Sequence, residues 1–159
     1  AKLFELLIYK NMYEELRGLI SENQHGYVKG RSCVSNLLEY TSFILKTMEE
    51  GLQVDSIYTD FSKAFDKVRH QLLLIKMALA VTPSECGLLR SYFSGRTQRV
   101  KIGSCVSKEI KVTSGVPQGS HLGPLCFIWF VNDIAQIFKY VRVLFYAEDM
   151  KLYLPVGCP

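Results

Sequence analysis

Residues 142–154 read RVLFYAEDMKLYL, so Glu148 and Asp149 stand side by side between two short apolar, aromatic-rich runs. The runs have the pattern of a hairpin with the acids at its tip. Adjacent carboxylates repel unless water or a cation lies between them. A solvated turn is the ordinary explanation of acids in such a place, and a cation site is the sharper one. A third acid, Asp60, lies in YTDFSKAFDKV (58–68), where a strand pattern ends and a helical one begins. By itself an acid there can simply cap the helix. Between these stretches, SGVPQGSHLGPL (114–125) is a Gly/Pro loop whose glycines permit close backbone approach to a ligand. That pattern is weak alone, and the order of the three gives it meaning.

The elements that must position these residues follow from periodicity. Leu3, Phe4, Leu7, Ile8, Leu16 and Leu19 fall on one helical face. After the polar turn QHGYVKGRS comes a second amphipathic pattern with Val34, Leu37, Leu38, Thr41, Leu45 and Met48, closed by Gly51. VDSIYTDF (54–61) reads as a strand that runs into a third helix marked by Phe65, Val68, Leu72, Ile75 and Leu79 and punctuated by Pro83. Val100, Ile102, Ile110 and Val112 suggest a hairpin around Gly103-Ser104, and a nearly all-apolar helix with Trp129 in its core follows to about Phe138. Helices packed on a small antiparallel sheet make an α+β fold.

Composition narrows the function classes. The 159 residues are 48% hydrophobic and 21% charged, near the globular norm. A net charge of +4 is compatible with a polyanionic partner without arguing for one. The five cysteines (33, 86, 105, 126 and 158) are odd in number and contain no C-x-x-C pair. That argues against a disulfide framework or a zinc site and for an intracellular setting, nuclear or cytoplasmic. LCFIWFV is too short for a membrane span, and the acid-bearing N-terminus has no signal-peptide pattern, so no membrane and no secretion are expected. Because the chain starts without Met and stops at VGCP, it is read as part of something longer.

Taken together, the three stretches resemble the palm of a reverse transcriptase. YTDFSKAFDKV is similar to that family's first palm motif, SGVPQGSHLGPL to its second, and FYAED to the hairpin normally written aromatic-Ala-Asp-Asp. QHGYVKGRSCVSNLLEY (24–40) resembles the fingers-side motif of jockey-type non-LTR retrotransposons, and GRTQRVKIG fits the same group. The resemblance runs from about Leu3 to Leu154. It implies one partial domain, with fingers-side helices over about 1–53 and palm over about 54–159, lacking thumb, endonuclease and the upstream fingers segment. It also implies RNA-directed DNA polymerase activity on an RNA template, a DNA primer and dNTPs.

On this resemblance Asp60, Glu148 and Asp149 would hold two Mg²⁺ ions, or Mn²⁺ in their place, with the Phe61 carbonyl as a further ligand. Such ions take oxygen ligands at about 2.0–2.1 Å, and waters and phosphates supply most of them. Phe65 would exclude a 2′-hydroxyl, although a core aromatic at a helix start has the same spacing. Gly115, Gln118 and Gly119 would line the nucleotide pocket. Lys29, Arg31, Arg96, Arg99 and Lys101 suit phosphate contacts, or merely a solvated basic face.

One departure stands out. The family's hairpin normally carries Asp where this chain has Glu148. Glu adds one methylene, moving the carboxylate on the order of 1 Å where catalytic groups hold to roughly 0.5 Å. This copy is therefore expected to be catalytically crippled or dead. The alternatives are an inactive nucleic-acid-binding remnant, whose affinity falls with salt, and a decayed transposon fragment. Nucleotide cyclases also pair carboxylates with two metals, but the Gln-containing second motif and the fingers-side match argue against them.

Overall fold

The computed structural model describes residues 2–157. In chain order the elements are α1 (Lys2–Leu16), α2 (Cys33–Glu49), β1 (Gln53–Asp60), a 3₁₀ turn (Phe65–Lys67), α3 (His70–Met77) and α4 (Pro83–Phe93). There follow the two-residue strands β2 (Thr97–Gln98), β3 (Lys101–Ile102), β4 (Cys105–Val106) and β5 (Ile110–Lys111), then α5 (Leu122–Phe130). A second 3₁₀ segment (Asn132–Ile137), β6 (Arg142–Tyr146) and β7 (Asp149–Val156) complete it. This mixture of helices and small antiparallel sheets is α+β.

The chain divides into two compact units, one of Ala1–Leu16 with Lys63–Cys126 and one of Arg17–Ser62 with Phe127–Pro159. The second is organised on a three-stranded antiparallel sheet in the order β1-β7-β6. Its register pairs Asp60 with Asp149, Tyr58 with Lys151 and Ser56 with Tyr153, and on the other side Tyr146 with Asp149 and Leu144 with Lys151. Strand side chains alternate between faces, so these residues share one face. Phe145, Val143 and Met150 occupy the other, packed against Ile134, Ala135 and Phe138.

Helix α2 starts at Ser32, where a reciprocal capping box joins the Ser32 and Ser35 hydroxyls to each other's backbone N–H groups. It ends before Gly51, whose φ of 74° is the left-handed stop glycine allows. Its inward side is Asn36, Tyr40, Phe43 and Thr47. The Tyr40 hydroxyl donates to Ser56 Oγ at 2.7 Å, and the Tyr40 and Phe43 rings meet Tyr153 edge-on. The apolar row read from periodicity (Val34, Leu37, Leu38, Leu45, Met48) is exposed instead. The reason is chemical: the sheet face beneath α2 carries Ser56, Tyr58, Lys151 and Tyr153, which a polar and aromatic helix side satisfies and an aliphatic one does not.

In the first unit, α1 buries Met12, Tyr13 and Leu16, while Leu3, Phe4 and Leu7 of the expected face are exposed. The single helix expected after β1 is broken into the 3₁₀ turn and α3, which shifts its phase. Leu73 and Met77 are buried, whereas Leu72, Ile75 and Leu79 are exposed. Pro83 opens α4, a helix absent from the periodicity reading. It stands at the first helical position behind an N-cap Thr82 that shares a capping box with Glu85.

The expected turn at Gly103-Ser104 is present, joining β3 to β4. The apolar helix stops at Phe130, shorter than expected, and Trp129 within it is buried. Cys33, Cys86, Cys105 and Cys126 are free thiols, while Cys158 lies outside the described residues. No helix among the described residues is long and apolar enough to cross a membrane.

Candidate acidic site and its supports

The site begins with the hairpin. β6 and β7 are joined by the two residues Ala147 and Glu148, and Ala147 has a φ of 56°. Positive φ at a turn position is what two-residue hairpins require, but in a residue other than glycine it is uncommon and needs support. Glu148 takes the second turn position and Asp149 the first of β7. Asp149 then lies directly opposite Asp60, the last residue of β1. Like charges directly across a sheet are destabilising, and no hydrogen bond or ion pair of the Asp60, Glu148 or Asp149 side chains is found among the described residues.

An opposed carboxylate pair without a protein partner suits a hard divalent cation, which needs few protein ligands. The fit stops at the pair. Among the described residues no three His, Cys, Asp or Glu side chains are grouped to hold a metal ion, so Glu148 is not drawn into a cluster with Asp60 and Asp149.

The strained turn is held by the segment Asn23–Gly26, which runs into the fingers-side motif that begins at Gln24. Gln24, 3% exposed, accepts from Ala147 N–H through Oε1 at 2.9 Å and donates through Nε2 to Ala147 O at 3.3 Å. Its Oε1 also accepts from Gly26 N–H at 2.8 Å. His25 N–H donates to Phe145 O at 2.9 Å, and Phe145 N–H donates to Asn23 O at 2.8 Å. Gly26 lies so close beneath the turn that a Cβ there would stand 2.2 Å from Ala147 N. Asn36 of α2 adds a bond from Nδ2 to Phe145 O at 3.2 Å.

His25 belongs to this brace. Its Nδ1 is 2.8 Å from Ser35 Oγ and its Nε2 3.4 Å from a Glu39 carboxylate oxygen. Burial holds the imidazole below its ordinary pKa, outweighing the upward pull of Glu39. Arg31 is committed here too, donating through Nη1 to Ser21 O at 2.8 Å and Gln24 O at 2.7 Å. Lys29 is exposed.

On the acid-bearing face of the sheet lies a cavity of about 350 Å³, lined among others by Cys33, Asn36, Tyr58, Asp60, Tyr146, Asp149 and Lys151. Lys151 is 8% exposed, which is rare for a lysine. Its Nζ lies 3.4 Å from Asn36 Oδ1, 4.1 Å from the centre of the Tyr40 ring and 5.4 Å from that of Tyr58. Hydrogen bonding with Tyr40 pushes the Tyr58 phenol up to about 12, so the ring beside the ammonium is neutral.

The first unit holds the Gly/Gln loop. Gly115 has a φ of 88°, and a Cβ there would come within 2.9 Å of Asp66 Cα and O, so only glycine lets the loop lie this close. Gly115 N–H donates to Val68 O at 2.8 Å, Val116 N–H to Phe65 O at 2.9 Å and Ser114 Oγ to Asp66 O at 2.9 Å. Gln118 Nε2 donates to Asp66 Oδ1 at 3.3 Å, and His70 Nε2 pairs with Gly115 O at 2.7 Å. A polar cavity of about 440 Å³ opens here, lined among others by Asp66, Arg96, Ser114, Gly115 and Gln118.

Gly119 and Gln118 are exposed, and Phe65 is half-buried. Arg96 lies over the Tyr92 ring at 5.2 Å, Arg99 is paired with Glu109, and Lys101 is exposed on β3. Phe61, just past β1 in the second unit, is 38% exposed.

A family model described as reverse transcriptase (RNA-dependent DNA polymerase) matches residues 2–155. The chain is 35% identical over 138 residues to a probable RNA-directed DNA polymerase from transposon X-element of Drosophila melanogaster, covering 86% of this chain and 15% of that protein. It is 31% identical over 136 residues to the RNA-directed DNA polymerase from mobile element jockey of Drosophila funebris, covering 84% and 15%. A probable RNA-directed DNA polymerase from transposon BS of Drosophila melanogaster is 28% identical over 167 residues, covering 99% and 18%. The chain thus spans between 15% and 18% of the length of these relatives.

Proposed function

Because the chain belongs to the reverse transcriptase family, in its jockey-like non-LTR group, we propose that it carries the metal-binding part of an RNA-directed DNA polymerase palm. The reaction adds dNTPs to a DNA primer 3′-hydroxyl on an RNA template. The observation that supports this most directly is the register that sets Asp60 opposite Asp149, beside the turn that holds Glu148. Two bound Mg²⁺ ions, or Mn²⁺, would lower the charge on the attacking and leaving oxygens of an in-line displacement.

The chain's own residues do the rest. Asp60 and Asp149 would hold the cations between them, with Glu148 and the Phe61 carbonyl as the further ligands the family resemblance implies. Gln118 and Gly119 contact the nucleotide, Gly115 keeps the loop backbone low, and Phe65 rejects a 2′-hydroxyl. Arg96 and Lys101 take phosphate contacts along the nucleic acid, which need charge rather than base readout. Lys29 joins them. Arg31 and Arg99 contribute less, because part of each guanidinium is spent within the protein.

Glu148 sets the level of activity. Its extra methylene displaces the carboxylate on the order of 1 Å against a tolerance of roughly 0.5 Å. A loss of about 3 kcal/mol in transition-state stabilisation corresponds to roughly 100-fold in rate.

Primer extension on an RNA template tests both statements, with the segment placed in the frame of an intact related polymerase. Glu148→Asp should extend roughly 100-fold faster than the sequence as written, and Asp60→Ala should not extend. Equal rates for the first two would refute the role given to Glu148. No extension by Glu148→Asp above the Asp60→Ala background would refute the polymerase reading.

A further inference from the structure

The residue with no role so far is Lys151. A buried ammonium is expensive unless it is paired, yet among the described residues it makes no ion pair. Its supports are one amide oxygen and two aromatic faces, which attract a cation without neutralising it. The nearest fixed negative charges on its own face are Asp149, two residues along β7, and Asp60, across the ladder from Asp149. Two residues along a strand is about 7 Å. All three side chains line the same cavity. One sheet face therefore carries an opposed acid pair at its end and a buried positive charge one step inside it.

We propose that Lys151 is a positioning residue, the resident counter-charge of the Asp60–Asp149 pair, which makes the site favour a metal–nucleotide complex over a bare divalent cation. The proposal rests on the metal-site reading above. A fixed positive charge at this distance relieves the repulsion between the carboxylates when no cation lies between them. It also opposes a bare dication while attracting the net negative complex of a dication with a nucleoside triphosphate. With screening close to that of water, one unit charge at about 7 Å changes the affinity for a dication roughly tenfold. Asn36, Tyr40 and Tyr58 hold the ammonium in place; Lys151 touches none of the reacting atoms.

The test measures Mn²⁺ binding to the chain by electron paramagnetic resonance, once with Mn²⁺ alone and once with Mn²⁺–dATP. Lys151→Met and Lys151→Gln should each tighten Mn²⁺ alone about tenfold and weaken Mn²⁺–dATP several-fold, while Lys151→Arg stays within about twofold of the parent in both. A purely structural lysine would weaken both ligands together. Opposite shifts support the proposal, and shifts of the same sign, or none, overturn it.

Should neither neutral variant melt cooperatively, the parent decides. The Lys151 Cε resonance should move as Mg²⁺ is titrated in, and a resonance that stays fixed overturns the proposal. Failure of the underlying reading looks different, because a parent that binds Mn²⁺ no better than an Asp60→Asn/Asp149→Asn chain has no metal site for Lys151 to tune.

Discussion

Replacing Gly26 by Ala adds one methyl group and puts it where the hairpin already is. The new Cβ would stand 2.2 Å from Ala147 N, 2.9 Å from Ala147 Cα and 3.0 Å from Ala147 Cβ. The nearest of these is backbone and cannot swing aside. Ordinary contact begins at 3.4 Å, so the turn or the Asn23–Gly26 segment must retreat by about 1.2 Å. The backbone of Gly26 is not in the left-handed region, so the added cost comes from the contact and what it disrupts.

A retreat of that size stretches the 2.9 Å and 3.3 Å bonds between Gln24 and Ala147 beyond hydrogen-bond length. Each buried bond contributes about 1 kcal/mol, and a buried polar group left unmet costs about 1–3 kcal/mol. Together these give a destabilisation of about 3 kcal/mol, or a Tm lowered by roughly 9 °C at about 2–4 °C per kcal/mol for a chain of this size. Because the residue that moves is the one before Glu148, Mn²⁺ binding should weaken as well.

Urea titration followed by circular dichroism reads the first effect and paramagnetic resonance the second. Gly18→Ala is the control, since nothing lies within 4 Å of a Cβ there. A Gly26→Ala chain within about 0.5 kcal/mol of the parent would refute the reasoning, because it would mean that the brace does not hold the turn.

Other expectations follow from single features. Gly87 lies inside α4, exposed, with nothing within 4 Å of a Cβ, so Gly87→Ala should stabilise the chain by about 1 kcal/mol in the same titration. Stability should fall as pH drops below 6.5, the ordinary histidine value. His25 has a folded pKa below its unfolded one, so the unfolded chain binds the proton first. The urea midpoint at pH 5.5 should lie below that at pH 7.5, and the gap should shrink in His25→Gln. Exposed Lys101 should count as one phosphate contact. In a filter-binding series Lys101→Ala should reduce the slope of log K against log salt by about 0.7–0.9, whereas Arg99→Ala, already paired with Glu109, should change it less.

The sequence showed the strands and turns more clearly than the helices. A period-two run bounded by turn residues leaves little choice, so β1, the hairpin of β6 and β7, and the Gly103-Ser104 turn were all legible. Asp60 and Asp149 were legible for the same reason, since strand ends and hairpin tips fix where a residue sits. Gln24 was not, because its partner Ala147 is 123 positions away, and a lone Gln in a polar turn gives no local signal. His70 and Gly115 meet across 45 positions and were equally hidden. Lys151 drew no attention in the sequence because burial of a lysine comes from what packs over it, here α2, and not from the strand that carries it.

Helix α2 shows why apolar periodicity failed beside the acid-bearing sheet face. The rule assumes that the buried side of a helix is its aliphatic side, which holds when the partner surface is aliphatic. Here the partner is the face that carries Lys151 and Tyr153, whose buried polar groups cost free energy unless they find donors, acceptors or π faces. Asn36, Tyr40 and Phe43 supply these, and the side of α2 that bears them turns inward although Leu37, Leu38 and Leu45 are thereby left exposed. A helix that buries its amide and phenol side against a sheet is covering a polar face.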